Sequence, residues 1–512
     1  MTFPIRLRAP RPVPLLRLLG CSGLALAVGQ AAAQSTGATS RLQIVPSLSL
    51  SQSITDSRRG SDGVDRAEAV TTIAPGVRIT SRSGRVQGTV DYSLAGLVYA
   101  RDNDANEIQH QLSAAVTAEA VQDHLTVDLR GSISRQAVSA FGLQSADPTT
   151  ASSNYSQVKT FSVAPVFRAT LGGVLDFRTS LVLSATDTGT NSISDSTNGT
   201  ALVHLGSVPG SARVGWGLDA SRQIVDFDRG RRTEEDRLVA SVGVLLNPEL
   251  RVDVRAGVED SNVATLTKDR TNTWGGGFVW TPSQRTRLAA SADRRSFGHS
   301  HAFEFQHRMR RTVLRLSDRQ DVTSGANASG AVIPAFDLFF ALFASQEPDP
   351  ILREQLVNDL LRRNNLSPAE LVNGGFLTGS SALQRRQEIS LAVEGVRTTY
   401  LVSVFNTDSR RAFELITGGD DLDLGSLAQR GLSFSVSHRL TPTAALGLNA
   451  TFQRSRADTG TRSGRLNTVT ANWSDRLSRR SSLTIGVRHS TSDGSTQSTS
   501  ENSVLANLRM TF

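Results

Sequence analysis

The sequence predicts an all-β protein: one large antiparallel transmembrane β-barrel of about 22 strands, interrupted by a single helical insert. Three observations predict it. Apolar and polar residues alternate through most of the chain in segments of roughly ten to fifteen residues, the period of a strand with two unlike faces. The connectors fall into a short class and a long class that take turns along the chain. The last residue, Phe512, closes an alternating segment.

The chain opens on a leader. Arg6, Arg8, Arg11 and Arg17 make a basic region, 18–29 an apolar core, and Ala31-Ala32-Ala33 a small-residue cleavage site. Residues 1–33 therefore read as a signal peptide cut after Ala33. Leu18-Leu-Gly-Cys21 has the outline of a lipoprotein site, but the apolar core continues past it. With the cut at Ala33 the only cysteine, Cys21, leaves with the leader, so the exported chain holds no disulfide and no cysteine-bound metal. The formal charge of +8, less the leader's four arginines, is about +4. That excess is too mild to suggest a nucleic-acid partner. Beyond the leader no apolar run approaches the roughly 20 residues of a membrane helix. A membrane form must then be a closed barrel, because only helices and barrels pair every backbone group in lipid.

Residues 34–322 form the first part of the barrel and 383–512 the second. Leu250, Val252, Val254, Ala256 and Val258 fall on one face of a strand, and Arg251, Asp253, Arg255 and Glu259 on the other. Leu125, Val127 and Leu129 oppose Thr126, Asp128 and Arg130 in the same way. Val396, Tyr400, Val402 and Val404 oppose Arg397, Thr399 and Ser403. Asn247-Pro-Glu249, Thr281-Pro-Ser283 and Thr441-Pro-Thr443 are short turns; 56–65, 141–154, 187–198, 408–425 and 491–501 are long polar loops. Short periplasmic turns and long outer loops are the habit of outer-membrane barrels, and counting back from the C-terminus puts both ends on the short-turn side. Leu508, Met510 and Phe512 share the outward face of the final strand and resemble the signal read by the barrel-assembly machinery.

The helical insert is expected at 323–382. Phe336, Phe339, Phe340 and Phe343 recur at helical spacing. Asp349-Pro350 offers an N-cap with proline at the first helical position, and Ser367-Pro-Ala-Glu370 is a capping box. The four phenylalanines form either a docking face or a stripe packed on the next helix through Leu352, Leu356 and Leu360. The turn pattern places the insert on the outer-loop side, as a lid, or as a plug folded into the lumen.

If the apolar faces meet lipid, Arg130, Arg251, Asp253, Arg255, Arg397, Arg488 and Arg509 line the lumen. Such a ladder either favours anionic solutes or forms a salt-bridged wall; the interleaved carboxylates favour the wall. The acidic clusters Asp420-Asp421-Leu-Asp423 and Glu234-Glu235-Asp236 fit no EF-hand spacing and read as solvated loops. His299 and His301 read as an exposed loop pair without a third ligand. No nucleophile–base order, phosphate loop or Rossmann glycines are present, so no enzyme, no cofactor and no metal site are expected.

The stretch 303–440 carries His307-Arg308, Asp349-Pro350 with Arg353, Leu356-Val357 and Leu360, Phe376-Leu-Thr378, Leu383-Gln-Arg-Arg386, Gly395-Val-Arg397 with Phe405, and His438-Arg-Leu-Thr-Pro442. In these residues it resembles the PEP-CTERM system-associated outer-membrane protein family. The resemblance implies a barrel in the outer membrane of a Gram-negative bacterium, encoded among genes for exopolysaccharide synthesis and export and for exosortase sorting. The expected partners are outer-membrane lipid and lipopolysaccharide, the barrel-assembly machinery, and exopolysaccharide or export machinery. The expected function is a channel or export-associated pore; the alternative is a non-conducting barrel that anchors surface material through its loops and insert. An energised transporter is not expected, because only about seven residues separate Ala33 from the first strand.

Overall fold

The structure is a computed structural model that describes residues 42–59, 65–82, 84–145, 154–208, 210, 212–323, 340, 343, 353, 357, 376–413, 420–458, 460, 462–495 and 497–512. The first eight strands are β1 (Leu42–Arg59), β2 (Asp65–Arg82), β3 (Val86–Tyr99), β4 (Glu107–Val121), β5 (Leu125–Ala137), β6 (Tyr155–Leu171), β7 (Leu175–Asp187) and β8 (Ser196–Ser207). The next seven are β9 (Val214–Phe227), β10 (Thr233–Asn247), β11 (Leu250–Ser261), β12 (Asp269–Ser283), β13 (Thr286–Arg295), β14 (Gly298–Arg308) and β15 (Thr312–Thr323). The last seven are β16 (Ala382–Glu394), β17 (Thr398–Arg411), β18 (Leu427–Arg439), β19 (Ala444–Ala457), β20 (Ser463–Asp475), β21 (Ser481–Asp493) and β22 (Ser498–Thr511). These form one 22-stranded sheet, as the turn pattern predicts. Each strand pairs antiparallel with its sequence neighbours. β1 pairs with β22 from Ser47↔Thr511 to Thr55↔Ser503, so the sheet closes and leaves no free edge.

Register follows the two-faced pattern. Leu238, Ala240, Val242 and Val244 lie opposite Val258, Ala256, Val254 and Val252, while Arg237, Ser241 and Gly243 lie opposite Glu259, Arg255 and Asp253. A slip of one residue would turn every one of these side chains to the wrong face. The apolar set looks outward, where Val254 and Trp274 are each 61% exposed. The polar set looks into the barrel. Trp216, Trp280 and Tyr400 are outward-facing aromatics close to the short turns, and Phe512, 63% exposed, joins them there. The Phe512 amide donates to the Pro46 carbonyl at 3.0 Å, which ties the chain's last residue to the first strand.

The turns at 248–249, 284–285 and 440–443 lie at one end of the barrel and the long connectors at the other, where the two-residue turn 296–297 between β13 and β14 is the short exception. Between β6 and β7 the turn carries Gly172 at φ 58° and Gly173 at φ 73°, the left-handed pair a tight hairpin requires.

Four sequence expectations change. Of the insert 323–382, Phe336, Phe339 and most of the remainder lie outside the described residues; Phe340, Phe343, Arg353 and Val357 are helical, but no whole helix is delineated among the described residues, so the helical insert is not borne out as an element. Arg397 falls in the turn between β16 and β17 rather than on a strand, because the chain reverses at 395–397 before pairing resumes. Glu234-Glu235-Asp236 is part of β10, and the pleat splits it: Glu235 points inward, Glu234 and Asp236 outward. His299 and His301 lie on β14, and His301 Nε2 sits 3.1 Å from Asp318 Oδ1.

Candidate functional site

Alternation decides which side chains enter the lumen. Arg130, Arg251, Asp253, Arg255, Arg488 and Arg509 all occupy inward positions. Arg255 sits between two carboxylates, Asp253 at 3.4 Å and Asp293 at 3.3 Å. Arg488 is buried, whereas Arg130, Arg251 and Arg509 are exposed in the lumen. Leu508, Met510 and Phe512 face outward.

A tighter knot of charge lies near the long-loop end. Arg295 binds Glu259 at 2.7 Å and Glu235 at 2.5 Å, with Asp321 at 3.7 Å and Arg237 at 4.0 Å from Glu259. Ser296 also donates to Glu259, which is fully buried. Sequence reading passes over Arg295 and takes Glu235 for part of a solvated loop, although strict alternation along β10 and β11 puts Glu235 and Glu259 on one inward face. Arg295→Met leaves the buried Glu259 and the half-buried Glu235 without their main partner. It is expected to cost about 3–5 kcal/mol, seen as a lower urea midpoint of the folded barrel, while Arg130→Met leaves the midpoint unchanged.

The inner wall of β16–β18 differs from the rest. Ser390, Leu401, Ser403 and Ser437 are fully buried, although each faces a lumen wide enough to leave Arg130 exposed. Val357 is also fully buried and Phe343 nearly so. Arg353 stacks over the Phe340 ring at 4.7 Å and lies within electrostatic reach of Arg308, at the short-turn end of β14. The connector that carries Arg353 leaves β15 at the long-loop end. Arg353 therefore lies toward the short-turn end, although its connector starts at the long-loop end.

At the long-loop end the connectors meet across the opening. The connectors β5–β6 and β17–β18 spring from walls about half the circumference apart. Yet Asp421 accepts hydrogen bonds from Ser139 Oγ at 2.7 Å and from the Ala140 amide at 2.6 Å. The Leu377 amide, just ahead of β16, donates to the Ala137 carbonyl at 3.1 Å. Asp420 accepts from Thr378 Oγ1 at 2.6 Å and from the Gly379 amide at 3.0 Å, and caps the 3₁₀ turn Asp421–Leu424. Arg411 pairs with Asp423. On the far side the Gln144 amide reaches Ser492 Oγ at 2.9 Å and the Ser495 amide reaches the Phe141 carbonyl at 2.9 Å. Phe141, Phe376, Leu422 and Leu427 form the apolar centre of this lattice, with Ala140, Ala382 and Ala457.

The acidic run 420–423 is thus not a solvated loop. Asp420 and Asp421 are buried, because each carboxylate supplies the acceptor that amides of another connector need once water is excluded. Burial pushes the Asp421 carboxyl up to about 6; the hydrogen bonds from Ser139 and Ala140 pull against that rise. Among the described residues no cluster of His, Cys, Asp and Glu could hold a metal ion.

No family model and no curated protein matches the chain. Similar solved structures include the siderophore receptor PirA from Pseudomonas aeruginosa, at TM-score 0.45 and 10% identity, with 92% of this chain and 80% of that chain covered. The FrpB iron transporter from Neisseria meningitidis gives TM-score 0.46, 10% identity, and 92% and 81% coverage. A loop-deletion mutant of OmpT, an outer membrane protein of Vibrio cholerae, gives TM-score 0.31, 9% identity, and 92% and 100% coverage. Likeness of this degree identifies no cargo.

Proposed function

We propose that this chain is an outer-membrane barrel that works as a gated channel, closed at rest by its own connectors. A closed sheet with an apolar outside, a polar inside and aromatics near the short turns suits residence in lipid, where every backbone group must be paired internally. The observation that carries the gate is the bridge from Asp421 to Ser139 and Ala140. It joins opposite walls through a few hydrogen bonds and one small apolar cluster, a contact weak enough to open without unfolding the barrel. The resemblance to exopolysaccharide-associated barrels supports an extended surface polymer as cargo, and a lumen lined with paired arginines and carboxylates suits a hydrated chain.

A Cβ added at Gly464 would lie 2.6 Å from the Ala140 carbonyl oxygen, closer than the wall and the connector can both tolerate. Gly464→Ala is therefore expected to displace the 138–145 connector and to raise single-channel open probability in planar bilayers. The same occlusion suits a second reading, a non-conducting barrel that anchors surface material. Silence of both the native chain and Gly464→Ala in bilayers would favour that reading and overturn the channel.

A further inference from the structure

The outward face of β15–β20 carries two adjoining rows of unlike chemistry near the long-loop end. The upper row runs Asp318, Gln387, Asn406, Arg430, Arg454 and Arg465, each directly opposite the next on successive strands. Two residues nearer the short turns, Leu316, Ile389, Val404, Leu432 and Phe452 form the apolar row beneath it. Between the rows lies a groove of about 910 Å³.

Arginines directly opposite one another across paired strands repel. Arg430, Arg454 and Arg465 are all exposed, and among the described residues none of the three makes an ion pair. Arg430 Nε donates only to the amide oxygen of Asn406, at 3.0 Å. Arg410 and Arg456 add positive charge on the same surface, against Asp408 and Asp493. Arg385 is already spent on Asp318, at 3.1 and 2.6 Å. The outward charges of β9 and β10 are arranged otherwise. There Glu234 and Asp236 are matched by Lys268 at 3.0 and 2.7 Å, with Arg222 and Arg232 close by. One wall neutralises itself; the other is left short of anions directly above an apolar band.

We propose that this groove binds a phosphorylated lipid of the surrounding leaflet, with acyl chains along Leu316, Ile389, Val404 and Phe452 and phosphate on Arg430, Arg454 and Arg465. Planar guanidinium groups pair with phosphate oxygens in a bidentate way, which makes an arginine row a phosphate cradle. The apolar row fits chains rather than a free anion. The inference rests on residence of the barrel in a membrane and is independent of the gate.

The test titrates purified full-length protein in detergent with bisphosphorylated lipid A, and separately with inorganic phosphate. The native chain is expected to bind the lipid, and Arg454→Gln/Arg465→Gln to bind it about tenfold or more weakly. Arg430→Gln/Arg454→Gln gives the same reading if the first pair fails to fold, folding being judged by heat-modifiable migration. Equal lipid binding by native and variant protein overturns the proposal, as does competition by millimolar inorganic phosphate, which would mark a site for a free anion. If the native chain fails to insert into liposomes, membrane residence itself falls; insertion without lipid binding defeats only the groove.

Discussion

Removing residues 324–375, with 376–381 kept to join β15 to β16, is expected to raise the conductance of the purified protein by about tenfold or more, because a barrel of 22 strands has a lumen too wide for its own wall side chains to fill. Thr323 pairs directly with Ala382, so the two strands stay in register without the intervening chain. The segment removed carries the buried Phe343 and Val357, and Arg353, which lies within electrostatic reach of Arg308. The inward groups of β16–β18 include Ser390, Ser403 and Ser437, hydroxyls that tolerate water. The barrel should therefore remain folded in heat-modifiability assays while planar-bilayer currents rise. Unchanged currents from a folded deletion protein would assign the block to the mouth lattice alone.

The second large effect concerns pH. Asp421 titrates at about 6 in the closed mouth, above its ordinary value of 3.8. A carboxyl raised on docking holds a proton in the closed state that the released connector gives up. Closure is therefore fully favoured below about pH 4, weakens as pH rises, and has lost this contribution above about pH 6. A difference of about two units corresponds to roughly 3 kcal/mol. Open probability is expected to climb between pH 4 and pH 7. The groups facing Asp421 are Ser139, the Ala140 amide, Asp420 and Arg462, and the acidic neighbour acts in the same direction as burial. Asp421→Asn keeps an acceptor and removes the titration, so its current should be flat over that range. Asp421→Ala leaves the Ala140 amide without its acceptor, at a cost of about 1–3 kcal/mol, and should hold the mouth open at every pH. A pH profile in Asp421→Asn as steep as in the native chain would remove Asp421 from the gate.

Much of the barrel is legible in the sequence because both of its rules are local. Alternation at period 2 needs only neighbours, as along 250–259, and the turn Asn247-Pro-Glu249 announces itself by composition. The mouth is not local. Gly418-Gly-Asp-Asp421 has the composition of a solvated loop, and nothing near it in sequence signals that its partners are Ser139 and Ala140, separated from Asp421 by 282 and 281 positions. The knot around Arg295 is half legible, since inward parity puts Glu235 and Glu259 on one face at diagonal positions, but the third partner comes from a hairpin end. Arg397 shows the opposite case: the alternation runs on into a turn, where Val396 beside it imitates a strand.

The seam between β1 and β22 sets an order of events in time. Ser47 cannot meet Thr511 until the whole chain has arrived, and until then both terminal strands carry open edges. The bridge from Ser139 to Asp421 spans opposite walls, so it needs the curvature that the seam holds, and a cut in either terminal strand is expected to loosen the mouth although neither strand touches it.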